Sequence, residues 1–230
     1  MKAGKPPGFP RAACAFFREL EANNEKEWFH EHKALYEASV RQPMLALLEA
    51  VNEELAGYAP AYRVSDSRKA LSRPNRDTRF GPDKRPYRTE ISAVLPRGGG
   101  PKDAVAGFFF SVGTDGIEVL GGAYMPGTPQ LAALRSFLTL QPDRFRRLVA
   151  EIEGTGLVGT LQGERLKRLP SGYSADDPAA DLVRYRQLYF RAPIEPAPAT
   201  PEALTSELSR RFRVMTPFVE FLDEGLSAVR

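Results

Sequence analysis

The sequence predicts an α+β fold: a central antiparallel sheet flanked by helices, with a helical N-terminal segment and a helical C-terminus. Three observations carry this reading. Apolar residues recur at helical spacing through the first 57 positions and again beyond position 200. A strand, turn and strand pattern centres on Gly113-Thr114-Asp115-Gly116. The chain also lacks the regular alternation of strand and helix units that a doubly wound sheet requires.

The elements follow in order. Ala13, Phe16, Phe17 and Leu20 space a first helix over 10–20, and Asn23-Asn24 offer a stop followed by an N-cap for a second. In that second helix Trp28, Phe29, Tyr36 and Val40 share a buried side. Pro43 restarts it as Met44, Leu47, Leu48, Val51 and Leu55. Beyond Gly57 the texture becomes polar and extended until Ile91 to Leu95, which alternates as a half-buried strand does. Gly98 to Pro101 reads as a turn or flexible loop, and Phe108 to Val112 pairs with Ile117 to Leu120 in a hairpin. The Phe108 to Phe110 run and Trp28-Phe29 are expected in the core. Gly121-Gly122 marks a bulge or a close backbone approach.

Helical spacing returns at Leu131, Leu134 and Leu138, then from Pro142 through Phe145, Leu148, Val149 and Ile152. Leu157 to Leu161 is short and β-like. Pro178 to Arg184 fits a one- or two-turn helix capped by Asp176 or Asp177, and Gln187 to Phe190 fits a strand. Pro193 to Pro201 is a proline-rich connection to a last helix near Glu202 to Leu226.

The 230 residues, 42% apolar and 27% charged, suit one domain over 1–230 with residues 1–8 flexible; a wholly disordered, collagen-like or coiled-coil chain is excluded. No apolar run approaches the ~18 residues of a membrane span. The basic, proline-rich start lacks the apolar stretch of a secretory signal, and the single cysteine, Cys14, reads as a small buried thiol. A cytoplasmic location is expected.

Net charge is only +3, yet residues 73–88 carry six positive side chains against two negative ones. The basic character is therefore local, which weighs against strong nonspecific nucleic-acid affinity. This segment runs Arg73, Arg76, Asp77, Arg79, Phe80, Lys84, Pro86, Tyr87, Arg88, Thr89. In that order and spacing it resembles the hallmark of DUF2461, a family of bacterial proteins of unknown function. The resemblance extends through Asn23, Asn24, Lys26, Trp28, Phe29, Tyr36, Gly122, Tyr124, Pro126 and Arg135 to the stretch from Leu166 to Tyr173. Arg88 stands where the family pattern has Lys, and Glu90 where it has Asn. The resemblance brings no biochemical activity with it.

Two readings of 73–88 stand side by side. In one, Arg73, Arg76, Arg79 and Arg88 line a basic cleft for a phosphorylated or carboxylated ligand, completed by Tyr124, Lys167 and Tyr173. If the protein is an enzyme, Asp77 acts there as orienter or base and Lys84 or Tyr87 as proton donor. In the other, Asp77 and Asp83 tie Arg76, Arg79 or Lys84 into a structural ion-pair network. The partner expected is an anionic small molecule, with nucleic acid the lesser alternative and no membrane.

No cofactor or metal is expected. His30 and His32 point to different sides of a helix as solvated residues, and no Cys-x-x-Cys or His-Glu-x-x-His is present. No Asp-x-Asp or EF-hand spacing supports a Mg²⁺ or Ca²⁺ site on Asp66, Asp77 or Asp83. Gly-x-Ser-x-Gly, P-loop and Rossmann fingerprints are also missing.

Overall fold

The computed structural model describes residues 8–79, 82–98, 105–195 and 200–227. The chain opens with α1 (Arg11–Ala22), whose Ala13, Cys14, Phe16, Phe17 and Leu20 form one buried stripe. Short helices α2 (Lys26–Glu31) and α3 (Lys33–Tyr36) follow, and a π-helical turn (Glu37–Arg41) leads into α4 (Gln42–Leu55). Pro43 lies in the first turn of α4, directly after the π-helical turn, where the missing proline N–H coincides with the change of helical hydrogen-bond pattern. A single-turn α5 (Ser67–Ala70) is capped by the Asp66 carboxylate.

The sheet consists of β1 (Glu90–Pro96), β2 (Ala106–Gly113), β3 (Gly116–Ala123) and β4 (Leu188–Arg191), paired antiparallel in that order. Between β3 and β4 the chain forms α6 (Thr128–Leu140) and α7 (Pro142–Gly154). It ends in α8 (Pro201–Leu226), whose N-cap Thr200 accepts from the Ala203 amide. The strand alternation sends Ile91, Ala93, Leu95, Phe108, Phe110, Val112, Ile117 and Val119 to one face, all buried. Helices α8 and α1 pack there, with Phe212 of α8 4.7 Å from Phe108 and 6.3 Å from Phe110 between ring centroids. Tyr62 donates to the buried Asp223 carboxylate of α8, and burial pushes the Tyr62 hydroxyl pKa up. The helical ends and central antiparallel sheet are those expected.

Several local expectations are corrected. Phe109 is not in the core: the pleat turns it to the face opposite Phe108 and Phe110, where it is half-buried. Asn24 does not cap α2; its side chain is held by Tyr87, 63 residues away. Trp28 is only half-buried, and His32 is not a solvated side chain. The His32 ring stacks on Trp28 at 4.0 Å, and its Nδ1 lies 2.8 Å from the Trp28 carbonyl. Residues 178–184 form turns closed by i→i+3 bonds and one i→i+4 bond, from the Val183 amide to Ala179 O, rather than a regular α-helix, with Asp177 accepting from the Ala179 amide. The β-like stretch near 157–161 is no strand, but Gly159 and Gln162 hydrogen-bond to β4. Cys14 is buried as expected, which pushes its thiol pKa up. Residues 1–7, 99–101 and 196–199, on which the flexible start, most of the glycine loop and part of the proline-rich connection fall, lie outside the described residues.

Candidate functional site

Residues 73–79 and 82–88 form the two sides of a hairpin-like arm. The Arg76 amide donates to Pro86 O and the Arg88 amide to Pro74 O, both at 2.8 Å, which bridges Asn75 to Tyr87. At its base Asn24 Nδ2 donates to Tyr87 O (3.1 Å) while the Tyr87 amide donates to Asn24 Oδ1 (3.0 Å). The Tyr87 ring stacks on Phe29 at 4.0 Å with only 9% of the residue exposed. One polar side chain and one aromatic stack thus join the arm to the N-terminal helices. Asn24→Ala removes both bonds and is expected to cost about 1–2 kcal/mol in urea unfolding. Hydrogen exchange of the Tyr87 amide should rise with it.

The tip of the arm is laced by its own charges. Asp77 accepts from the Arg79 amide, Nε and Nη2, the last at 2.7 Å, with side chains 52% and 75% exposed. Asp83 accepts from Arg76 and from Arg85 Nη2, the latter at 2.7 Å, and Lys84 Nζ donates to Thr78 O at 2.8 Å. The arm is thus neither an array of unpaired arginines nor a buried ion-pair network. Its pairs lie at the surface and join residues close in sequence, where solvent screens them. Arg79→Ala should therefore leave the melting temperature unchanged.

Arg85 first, and Arg76 second, hold the Asp83 carboxyl well below the usual carboxylate range. The sign is that of a lowered folded-state pKa. The pairing favours the folded arm above the ordinary aspartate pKa and is lost only as pH falls through the depressed one. An NMR titration should find Asp83 ionised in acid that protonates free aspartates.

Beside the arm lies the sheet face that α1 and α8 leave uncovered. Register sets its side chains in cross-strand rows: Ser92, Ser111 and Glu118, then Val94, Phe109 and Leu120, then Gly107, Gly122 and Tyr189. These rows line a cavity of ≈ 490 Å³, bounded by Arg88 and Glu90 in one direction and Tyr124 in the other. A second cavity, ≈ 270 Å³, is lined by Arg76, Arg85, Tyr87, Arg88, Thr89 and Glu90. Arg88 and Glu90 belong to both, and neither forms an ion pair or side-chain hydrogen bond among the described residues. Glu118 does, taking a bidentate grip from Arg191 with Nε at 2.6 Å.

Ser92 and Ser111 stand directly opposite each other and are 7% and 2% exposed. Their hydroxyls line the larger cavity without a hydrogen-bond partner among the described residues.

Of the residues expected in a site, Arg88 and Tyr124 line the larger cavity, and Arg76, Tyr87 and Arg88 the smaller one. Tyr124 is 53% exposed and meets Tyr189 edge to face at 5.3 Å. Arg73, Asp77, Arg79 and Lys84 line neither cavity. Lys167 and Tyr173 do not join them there either: Lys167 is exposed with its carbonyl bound by Arg184, and Tyr173 is half-buried against the core. Burial lowers the pKa of Arg135, while the nearby Tyr173 acts in the opposite direction. Sequence reasoning passed over Ser92, Ser111, Glu118, Phe109 and Tyr189. Their signal was phase, since Ser92, Ser111 and Glu118 occupy the strand positions that alternate with the buried apolar ones.

Among the described residues no three His, Cys, Asp or Glu side chains group as a metal ion needs, and no helix is long and apolar enough to cross a membrane. Fold and site together define an α+β protein with helices against one sheet face and a small-molecule-sized cavity on the other. The chain belongs to the DUF2461 family, described as "Conserved hypothetical protein (DUF2461)", whose family model matches residues 12–221. No curated protein and no solved structure matches it.

Proposed function

We propose that this protein binds a small carboxylated or phosphorylated molecule on the open face of its sheet, with Arg88 as the principal contact. The observation that carries this reading is the position of Arg88. It is a guanidinium with no ion-pair partner among the described residues, it lines two cavities, and it shares the larger one with Ser92 and Ser111. A guanidinium presents a planar fork of donors that matches a carboxylate or phosphate, and partial enclosure strengthens such charge-assisted bonds. The ≈ 490 Å³ volume lies within the range of small-molecule sites, about 300–1,000 Å³. Arg76 and Tyr87 border the anion's approach from the arm, and Tyr124 borders the opposite end.

The same geometry weighs against nucleic acid, because Arg76, Arg79 and Arg85 already face carboxylates within the arm. Asp77 and Lys84 are engaged by the arm itself, so the reading is one of binding and assigns no reaction. A cytoplasmic location belongs to the reading, in keeping with the buried, unpaired Cys14.

Thermal melts of wild type and Arg88→Ala with phosphate, nucleotides and a series of carboxylates test it. Arg88 is exposed, so the variant should melt as wild type does without ligand. Wild type should be stabilised by at least one anion, and the variant by none. Equal shifts in both proteins, or no shift with any member of the series, would overturn the proposal.

A further inference from the structure

We infer that the molecule held on the sheet face is dipolar: its carboxylate meets Arg88, its ammonium meets Glu90 and the serine pair, and its apolar part lies over Phe109 and Leu120. This rests on the binding reading above and narrows it from any anion to an amino-acid-like ligand.

Strand alternation puts Glu90 and Ser92 of β1 on one face, about 7 Å apart, and Arg88, two residues before Glu90, lines the same two cavities as Glu90. Arg88 and Glu90 are therefore neighbours of opposite sign, yet they do not pair with each other, and both line the cavity. Glu118 is already neutralised by Arg191, so among the described residues the unpaired charges lining the cavity are one positive and one negative. A doubly charged phosphate placed there would set its excess charge against Glu90, a like-charge contact that disfavours binding. A zwitterion matches both groups at once.

The hydroxyls complete the match. An ammonium carries three N–H donors and no acceptor. Glu90, Ser92 and Ser111 supply three acceptors on adjoining rows, and neither serine hydroxyl has a hydrogen-bond partner among the described residues. Val94, Phe109 and Leu120 form the next row, an apolar surface where a hydrocarbon side chain is removed from water.

Calorimetric titration tests this with L-phenylalanine and L-leucine beside three mutilated analogues: 3-phenylpropanoate without the ammonium, phenethylamine without the carboxylate, and phenyl phosphate. Wild type should bind at least one of the two amino acids, and the amino acid at least tenfold more tightly than any analogue. Glu90→Gln should weaken the amino acid tenfold or more while leaving 3-phenylpropanoate unchanged. If 3-phenylpropanoate or phenyl phosphate binds wild type as well as the amino acids do, or Glu90→Gln changes nothing, the dipolar inference falls while the anion site stands. If the amino acids fail to bind while other anions still stabilise the protein through Arg88, the dipolar inference alone is again lost. If no compound binds and no anion stabilises wild type, both fall together.

Discussion

Gly122→Ala is expected to destabilise the protein by on the order of 4 kcal/mol, measured as a fall in the midpoint of urea unfolding at unchanged slope. Gly122 has φ +144°, a region L-residues rarely adopt, and a Cβ built there would lie 2.2 Å from Leu188 O and 2.6 Å from Tyr189 Cα. Both obstacles are backbone. β4 cannot retreat from them, because Ala192 is bonded to Val119 O on one side and Tyr189 to Gln162 on the other. The neighbouring Gly121→Ala is the control. Its Cβ would meet the Met215 side chain, with Sδ at 2.8 Å, so repacking limits the cost to about 1–2 kcal/mol. Equal effects at the two positions would show that the close approach of β4 does not govern this strand pair. Since Tyr189 lines the cavity, a surviving Gly122→Ala fold should also lose ligand affinity.

Phe212→Ala should cost about 3–5 kcal/mol, the range for truncating a fully buried phenylalanine. The ring is completely buried between α8 and β2, in contact with Phe108 and Phe110, and its removal leaves a void where helix and sheet meet. Such a loss is a large part of a domain's usual 5–15 kcal/mol of stability. Phe109→Ala, one residue from both of those rings, should behave differently. It sits half-buried on the cavity face, so about 1 kcal/mol or less should be lost, and, on the proposed binding role, affinity for a ligand with an apolar group should fall with it. Unfolding and calorimetry on the two variants separate the faces: a stability loss from Phe109→Ala as large as that from Phe212→Ala would place both rings in the same core.

Arg88 and Tyr124, which line the larger cavity, stood out in the sequence as candidates through composition and resemblance, whereas Ser92, Ser111 and Glu118 did not. A serine in a strand carries no chemical signature of its own. Its meaning here comes from facing another serine across the ladder on the cavity face, with no hydrogen-bond partner for either hydroxyl among the described residues. The arm shows the same division. Its charge was plain in the sequence, but whether the arginines were free, buried or paired at the surface depended on where Asp77 and Asp83 turned.

By itself, then, the sequence determined the helical ends and the β2–β3 hairpin. Helical and strand periodicities are properties of neighbouring residues, and a tight hairpin sets its own register. The tertiary structure alone decided the alignments across distance: Asn24 with Tyr87, Glu118 with Arg191, and the placing of Arg88 and Glu90 beside the Ser92–Ser111 pair. Local patterns do not encode these contacts, because each follows from how α8, α1 and the sheet bury their apolar faces together. That packing fixes which strands adjoin, and so which polar side chains on the other face become neighbours.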